Sequence, residues 1–330
     1  AFGVEFAMSV LFEAPNVAAL AERIIDRNGG NIAAEPGEAP ATQDTPQHIH
    51  LVQLHPGDGT GRRPFFLVAG MFGNVLNLRH LALLVGKDRP VYGLQAKGLI
   101  GGDTPHDRIE DAAQSCLEEI RQIQPDGAYL LGGFSGGGIT AYEMAQQLND
   151  QGQETAALIL LDTPQPVRPA LKQQDRMLIK AAQLRDDGPK YLGEWVKNRI
   201  AWEVKKRRAE PVESSTLPEF NNRKIELAFR DAVERYQLRP WNGPMTLFRP
   251  ALDCKWQVSD GQWVSAAREY VLDDNDWTRW AAAVEVAEVP GDHDSMVLTP
   301  NVSVLAAAVK ARLDRAEAAA NKPRPARAAE

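Results

Sequence analysis

The sequence predicts an α/β protein whose mostly parallel sheet is flanked by helices, and three observations carry this prediction. The segments 65–68 and 157–161 are uninterrupted apolar runs, as expected for strands that a parallel sheet buries on both faces. A third run, 129–132, leads into a glycine-rich turn and then into an amphipathic segment that begins near Ile139. With 330 residues and 44% hydrophobic composition, the chain is long enough to form one large core.

The turn after the third run has the pattern Gly-x-Ser-x-Gly, with Ser135 at its centre. Between a strand and a helix this pattern is typical of a nucleophile elbow, in which a strained backbone lifts the serine hydroxyl above the sheet. Gly133 and Gly137 fit that geometry, because larger residues would clash where the strand and the helix cross. Ser135 is therefore the predicted nucleophile. A flexible glycine-rich loop is the alternative interpretation.

A serine hydroxyl needs a general base to accept its proton, and the base needs a carboxylate to orient it. In hydrolases with this elbow the chain order is serine, then aspartate or glutamate, then histidine. Of the six histidines in the chain, only His293 follows Ser135. It lies in a polar turn after the alternating segment 284–289, which predicts a late strand. The order selects His293 as the base, and a surface histidine between two aspartates is the alternative.

Asp162 is the favoured candidate for the carboxylate. It ends the apolar run 157–161 and precedes a proline-containing turn, so it would lie at the sheet edge that carries the elbow. A later strand carries the acid in some hydrolases, which leaves two rivals open. These are Asp253, after a strand predicted at 245–251, and the acidic cluster 273–276.

Stabilising the tetrahedral intermediate requires two backbone N–H groups that face the developing oxyanion. One is expected from Gly136, directly after the nucleophile. The other is expected from the glycine-bearing loop that follows the strand at 65–68, with Met71 as the first choice and Phe72 as the second. A turn without a catalytic role is the alternative for this loop. The predicted site contains no metal ion and no cofactor bound by the domain itself.

These segments together resemble the type I thioesterase domains that end non-ribosomal peptide synthetases and polyketide synthases. The resemblance extends from Ile49 to Arg315 and includes the elbow and the segments 64–78, 91–98, 158–162 and 290–302. It implies an α/β-hydrolase fold with a helical lid insertion, and a Ser135 that accepts an acyl chain from a carrier-bound phosphopantetheine thioester. One departure is that relatives often begin the oxyanion loop with His-Gly or His-Pro, whereas this chain has Ala69-Gly70.

The resemblance implies a thioesterase that releases an acyl, peptidyl or polyketide chain, with hydrolysis as the expected mode. Two alternatives stay open: an acyltransferase or macrocyclase that uses an amine or hydroxyl acceptor, and a non-catalytic carrier-docking module. The expected partner is an acyl or peptidyl carrier protein of the same assembly line.

The net charge of −7 argues against a nucleic-acid partner, and no apolar stretch is long enough for a membrane span. Cys116 and Cys254 are far apart in the sequence and imply no disulfide framework, so a reducing, cytoplasmic location is expected.

The chain is expected to have four parts. Residues 1–29 resemble the C-terminal end of a carrier protein, and residues 30–47 have the composition of a linker. Residues 48–315 form the thioesterase domain, with a lid at about 165–240 that contains helices predicted at 176–185, 189–208 and 218–235, and residues 316–330 form a disordered tail. The chain contains no Asp-Ser-Leu motif, so the serine that carries phosphopantetheine is expected to be absent from it.

Overall fold

The computed structural model describes residues 48–99, 103–188 and 222–322, together with residue 21. The described chain divides into two units: a larger one with residues 48–166, 222–251 and 277–322, and a smaller one with residues 167–188 and 252–276. Apart from residue 21, the predicted carrier-like segment and the predicted linker lie outside the described residues. The predicted helix at 189–208 lies outside them as well.

Within the described residues, the larger unit contains a seven-stranded sheet with the order β1-β3-β2-β4-β5-β6-β7. In chain order, the strands are β1 (Leu51–His55), β2 (Phe65–Val68), β3 (Val91–Leu94), β4 (Tyr129–Phe134), β5 (Thr155–Leu161), β6 (Met245–Arg249) and β7 (Val284–Glu288). The edge strand β1 pairs antiparallel with β3, and every other pair is parallel. The carboxyl ends of six strands therefore meet at one edge of the sheet.

Helices cover both faces of this sheet. The described helices are α1 (Arg79–Val85), α2 (Ile109–Ile123), α3 (Gly137–Asp150), α4 (Gln173–Asp187) in the smaller unit, α5 (Asn222–Arg235) and α6 (Val302–Ala320). Along β2, Phe65 and Leu67 join the apolar core beneath α1 and α6, whereas Phe66 and Val68 join the core beneath α2 and α3. Alternate residues of a strand point to opposite faces, which explains why this strand is apolar throughout. The predicted α/β class is confirmed.

The smaller unit has its own apolar cluster. Ile179 of α4 packs with Trp256, Val258 and Val264, which lie on or beside a short antiparallel hairpin. Two described helices, α4 and α5, fall within the lid predicted at about 165–240. The first helix groups with residues 252–276, while α5 belongs to the larger unit. The lid stays a prediction, because residues 189–221 within it lie outside the described residues.

An ion-pair network ties α6 to the segments that precede β2 and β3. Arg89 is fully buried and donates to Asp314 at 2.6 Å and to Glu317 at 3.3 Å. Arg62 donates to the same two carboxylates. Burial opposes ionisation of Asp314 and Glu317, but hydrogen bonds and the nearby arginine charges outweigh it and lower the pKa of both. For Glu317 the largest of these favourable contributions is the hydrogen bond from the Arg63 N–H at 2.8 Å. The network holds the end of α6, so residues 316–320, predicted to begin a disordered tail, are helical.

Replacing Arg89 with methionine is expected to lower the free energy of unfolding by about 3 kcal/mol, because Asp314 and Glu317 lose their buried cationic partner. Urea denaturation followed by circular dichroism measures this change. Asp150→Asn is the control, since its ion pair with Arg239 is exposed on both sides and is expected to contribute less than about 1 kcal/mol. Equal midpoints for the two variants would contradict the assignment.

Candidate active site

Ser135 lies at the junction of β4 and α3, where the sequence predicts the elbow. Its φ is 52°, in the left-handed region that costs a non-glycine residue about 1–2 kcal/mol. Its N–H donates to the carbonyl of Leu161 at 2.8 Å, which fixes the turn to the end of β5. A Cβ at Gly133 would lie 2.4 Å from backbone atoms of Gly137. Strand and helix therefore cross closely enough to hold the serine in this conformation.

Gly137→Ala is expected to prevent folding or to lower the free energy of unfolding by more than about 3 kcal/mol. A Cβ there would lie 2.1 Å from the carbonyl oxygen of Ala69 and 2.7 Å from that of Val68, and backbone cannot yield locally. Thermal and urea denaturation measure the effect. Gly152→Ala is the matched control: its φ is 74° but no atom lies within 4 Å, so only the backbone strain of about 1–2 kcal/mol is expected. A Gly137 variant as stable as the control would refute the close crossing.

The structure brings Ser135, His293 and Asp162 together. His293 Nδ1 lies 2.7 Å from Asp162 Oδ2, and His293 Nε2 lies 2.9 Å from Ser135 Oγ. An ionised carboxylate can only accept hydrogen bonds, so Nδ1 carries the proton and Nε2 accepts the serine hydroxyl. This is the arrangement of a nucleophile, a general base and a carboxylate that orients the base.

The position of Asp162 follows from the sheet register. Phe134 and Leu161 are paired at the ends of β4 and β5, so the residues that follow them emerge side by side. Asp162 has a φ of 44°, and its N–H donates to the carbonyl of Phe248 at 2.7 Å. The adjacent strand β6 thus fixes its turn. A second strained residue beside Ser135 was not predictable from the sequence pattern.

The rival acids belong to the smaller unit. Asp253 belongs to the smaller unit, where its carboxylate accepts the N–H of Ala266 at 2.7 Å. The cluster 273–276 belongs to that unit as well. Asp162 contacts His293 Nδ1 at 2.7 Å, and this contact favours it as the acid.

The turn that holds His293 is closed by hydrogen bonds between Asp292 and Ser295, which the sequence pattern alone did not predict. Asp292 accepts hydrogen bonds from the N–H and the hydroxyl of Ser295 at 2.8 and 2.7 Å, and these bonds lower the pKa of Asp292. The ring of Phe134 stacks on the imidazole with centroids 5.2 Å apart. The Asp-x-x-Ser spacing was a usable signal, because aspartate side chains commonly close such turns.

Met71 and Gly136, the predicted oxyanion donors, are neighbours in the structure. A Cβ at Gly136 would lie 3.6 Å from the Cβ of Met71, and one at Gly70 would lie 3.6 Å from the Cβ of Ser135. Among the described residues, neither the Met71 N–H nor the Gly136 N–H donates to a protein acceptor. Both groups are therefore available to a developing oxyanion next to the serine.

The side chain of His293 is 42% exposed and that of Asp162 is 19% exposed, and Ser135 is partly exposed. No group of three or more histidine, cysteine, aspartate or glutamate side chains within the described ranges could hold a metal ion. No helix in the described part of the chain is both long enough and apolar enough to cross a bilayer.

A mostly parallel sheet with a serine elbow and a histidine that bridges serine and aspartate defines a serine hydrolase of the α/β-hydrolase fold. The family model of the thioesterase domain matches residues 64–311, so the chain belongs to the thioesterase domain family. It is an enzyme that acts on thioesters.

Curated relatives are large multidomain synthetases. Malpinin synthetase from Mortierella alpina is 28% identical over 314 residues, which is 93% of this chain and 3% of that protein. The dimodular nonribosomal peptide synthase from Bacillus subtilis is 36% identical over 164 residues, which is 49% of this chain and 6% of that protein. The chain therefore spans a small fraction of the relatives it matches.

Solved structures share the fold. The NocB thioesterase domain, in a covalent complex with a fluorophosphonate nocardicin G analog, has a TM-score of 0.54 at 21% identity, covering 80% of this chain and 99% of that one. The four-domain nonribosomal peptide synthetase AB3403 has a TM-score of 0.58 at 22% identity, covering 94% of this chain and 22% of that one.

Proposed function

We propose that this domain releases an acyl, peptidyl or polyketide chain from the phosphopantetheine of a carrier protein by hydrolysis, through an acyl-enzyme on Ser135. The observation that carries the proposal is the hydrogen-bonded series in which His293 contacts Ser135 at 2.9 Å and Asp162 at 2.7 Å. It supplies both a base for acylation and an acid for departure of the thiol.

In the acylation step, Ser135 Oγ attacks the thioester carbonyl while His293 Nε2 takes the hydroxyl proton. Asp162 stabilises the resulting imidazolium through Nδ1–H. The N–H groups of Met71 and Gly136 donate to the oxyanion, and each is expected to contribute about 10²–10³ in rate. When the C–S bond breaks, His293 returns its proton to the thiolate, which leaves as free phosphopantetheine thiol.

In the deacylation step, water replaces the departed thiol. His293 takes a proton from the water as its oxygen attacks the ester carbonyl, and the same two N–H groups receive the second oxyanion. Collapse of this intermediate breaks the bond to Ser135 Oγ, which regains its proton from His293. The products are a free carboxylic acid and the original enzyme.

The carrier is proposed as the partner because the relatives are multidomain synthetases. Phosphopantetheine enters as part of the substrate, and the domain itself needs no bound cofactor. The predicted carrier-like segment 1–29 is consistent with this, although it lies outside the described residues except for residue 21.

The experiment compares an acyl-loaded carrier with the matching acyl N-acetylcysteamine thioester, in isotopically labelled water, with products followed by mass spectrometry. Wild type is expected to form free acid that contains one labelled oxygen, and Ser135→Ala is expected to form none. A cyclic or transferred product without label would replace hydrolysis by cyclisation or transfer. Absence of all products, together with no fluorophosphonate labelling of Ser135, would favour a docking module.

A further inference from the structure

Three contacts hold the turn that contains Asp162. The N–H of Asp162 donates to the carbonyl of Phe248 at 2.7 Å. The next residue, Thr163, is fully buried and packs against the first turn of α3, where a Cβ at Gly138 would overlap Thr163 Oγ1. The third contact is a hydrogen bond of 2.9 Å that the Trp277 Nε1–H donates to the carbonyl of Thr163. The turn is therefore held from β6, from α3 and from Trp277.

The indole ring of Trp277 has a fixed position in the core. It is fully buried, so its N–H requires an acceptor within the protein. The ring belongs to the apolar core beneath α2 and α3, and its centroid lies 5.1 Å from that of the Tyr142 ring. Tyr142 is a buried residue of α3 and donates its hydroxyl hydrogen bond to the carbonyl of Arg239 at 2.6 Å. Because packing fixes the ring, the N–H holds the Thr163 carbonyl at a defined place.

The contacts of this turn determine where the Asp162 carboxylate points. Its φ of 44° lies in the left-handed region, which a non-glycine residue keeps only where its surroundings hold it. The hydrogen bond to Phe248 holds the peptide group before Asp162, and the hydrogen bond from Trp277 holds the carbonyl of the residue after it. The carboxylate lies 2.7 Å from His293 Nδ1, so a shift of the turn would change that contact.

We propose that Trp277 is a positioning residue for the carboxylate that orients the base. Its indole N–H holds the turn after Asp162 and thereby keeps the carboxylate on His293 Nδ1. This inference rests on the proposed function and deepens it, because the same contact between His293 and Asp162 serves acylation and deacylation. Without the hydrogen bond the turn gains other conformations, and the imidazole is oriented for only part of the time.

The test replaces Trp277 with phenylalanine, which keeps an aromatic ring in the core and removes the N–H donor. The rate of fluorophosphonate labelling at Ser135 is expected to fall by about 10-fold or more, since small misplacements of catalytic groups cost large factors in rate. The kcat for an acyl thioester is expected to fall by the same factor with little change in KM, because buried Trp277 cannot contact the substrate.

Nuclear magnetic resonance reports on the hydrogen bond between His293 and Asp162 directly. The proton on His293 Nδ1 is observed with isotopically labelled histidine and is assigned by its loss in Asp162→Asn. In wild type it is expected far downfield, as for a proton held between a nitrogen and a carboxylate. In Trp277→Phe the resonance is expected to move upfield or to broaden through exchange with water.

Trp280→Phe is the matched control. The Trp280 indole N–H donates to Gln165 Oε1 at 3.2 Å, so this hydrogen bond holds a side chain rather than the backbone next to Asp162. The labelling rate and the resonance are expected to keep their wild-type values in this variant. If Trp277→Phe does not fold, Trp277→3-benzothienylalanine is measured in its place. There a sulfur replaces the N–H in a ring of nearly the same shape, and the same changes are expected.

A Trp277 variant with a lower melting temperature but the wild-type labelling rate and an unchanged resonance would overturn the proposal, since Trp277 would then contribute packing alone. An equal loss in Trp280→Phe would overturn it as well. Failure of the proposed function gives a different result: wild type labels at Ser135 but hydrolyses no acyl thioester. The labelling rate and the resonance then still test the role of Trp277, because neither requires a thioester.

Discussion

Replacing Ser135 with alanine is expected to lower kcat/KM for an acyl thioester by about 10⁴-fold or more, with little change in stability. The substitution removes the oxygen that forms the acyl-enzyme, and His293 and Asp162 then have no nucleophile to activate. Steady-state release of thiol, followed with a thiol-reactive dye, measures the change. Ser303→Ala, at an exposed position in α6, is the control and is expected to retain wild-type rates.

The contradicting outcome is a Ser135→Ala variant that retains most of the activity at an unchanged melting temperature. That result would remove Ser135 from the chemistry, and the elbow would then be a purely structural turn. The melting temperature is measured alongside the activity. It is expected to stay unchanged, because alanine keeps the Cβ and therefore leaves the left-handed φ of 52° and the close crossing of strand and helix as they are.

Asp162→Asn is expected to lower kcat by about 10⁴-fold while the fold is retained. The amide matches the carboxylate in shape, but its NH₂ group can donate to His293 Nδ1. The imidazole then places its proton on Nε2, where it can no longer accept the Ser135 hydroxyl. Single-turnover acylation measures the effect without interference from product release.

The same measurement on Asp253→Asn and Asp274→Asn provides the matched controls. Asp253 and Asp274 belong to the alternative candidates for the acid in the sequence analysis. Both variants are expected to form the acyl-enzyme at rates close to wild type. A large loss in either control, with Asp162→Asn nearly normal, would reassign the acid despite the 2.7 Å contact between Asp162 and His293.

The sequence predicted the site residues better than their surroundings, for a physical reason. The elbow is a local feature, because Gly133 and Gly137 record a steric requirement within five consecutive residues. The order of the three residues along the chain then selected His293, and the apolar strand that ends at Leu161 placed Asp162 at the right edge of the sheet. These steps used local sequence patterns and the order of residues along the chain, and none of them required a contact between distant segments.

Features that depend on contacts between distant segments were not predictable in this way. The Phe229 ring lies against Gly136 although 93 residues separate the two positions, and no pattern in α5 marks that contact. The sequence predicted a disordered tail from residue 316, but helix α6 continues to Ala320. Its last turn depends on Glu317, whose partners Arg62 and Arg63 precede β2. The order of the sheet is likewise set by packing on both faces.

The most direct test of the central claim is the intact mass of the protein after mixing with an acyl N-acetylcysteamine thioester and quenching with acid. Wild type is expected to gain the mass of one acyl group, located by peptide mapping at Ser135, and Ser135→Ala is expected to gain nothing and to release no acid. Acylation of another residue, or free acid formed by Ser135→Ala at the wild-type rate, would contradict a Ser135 acyl-enzyme.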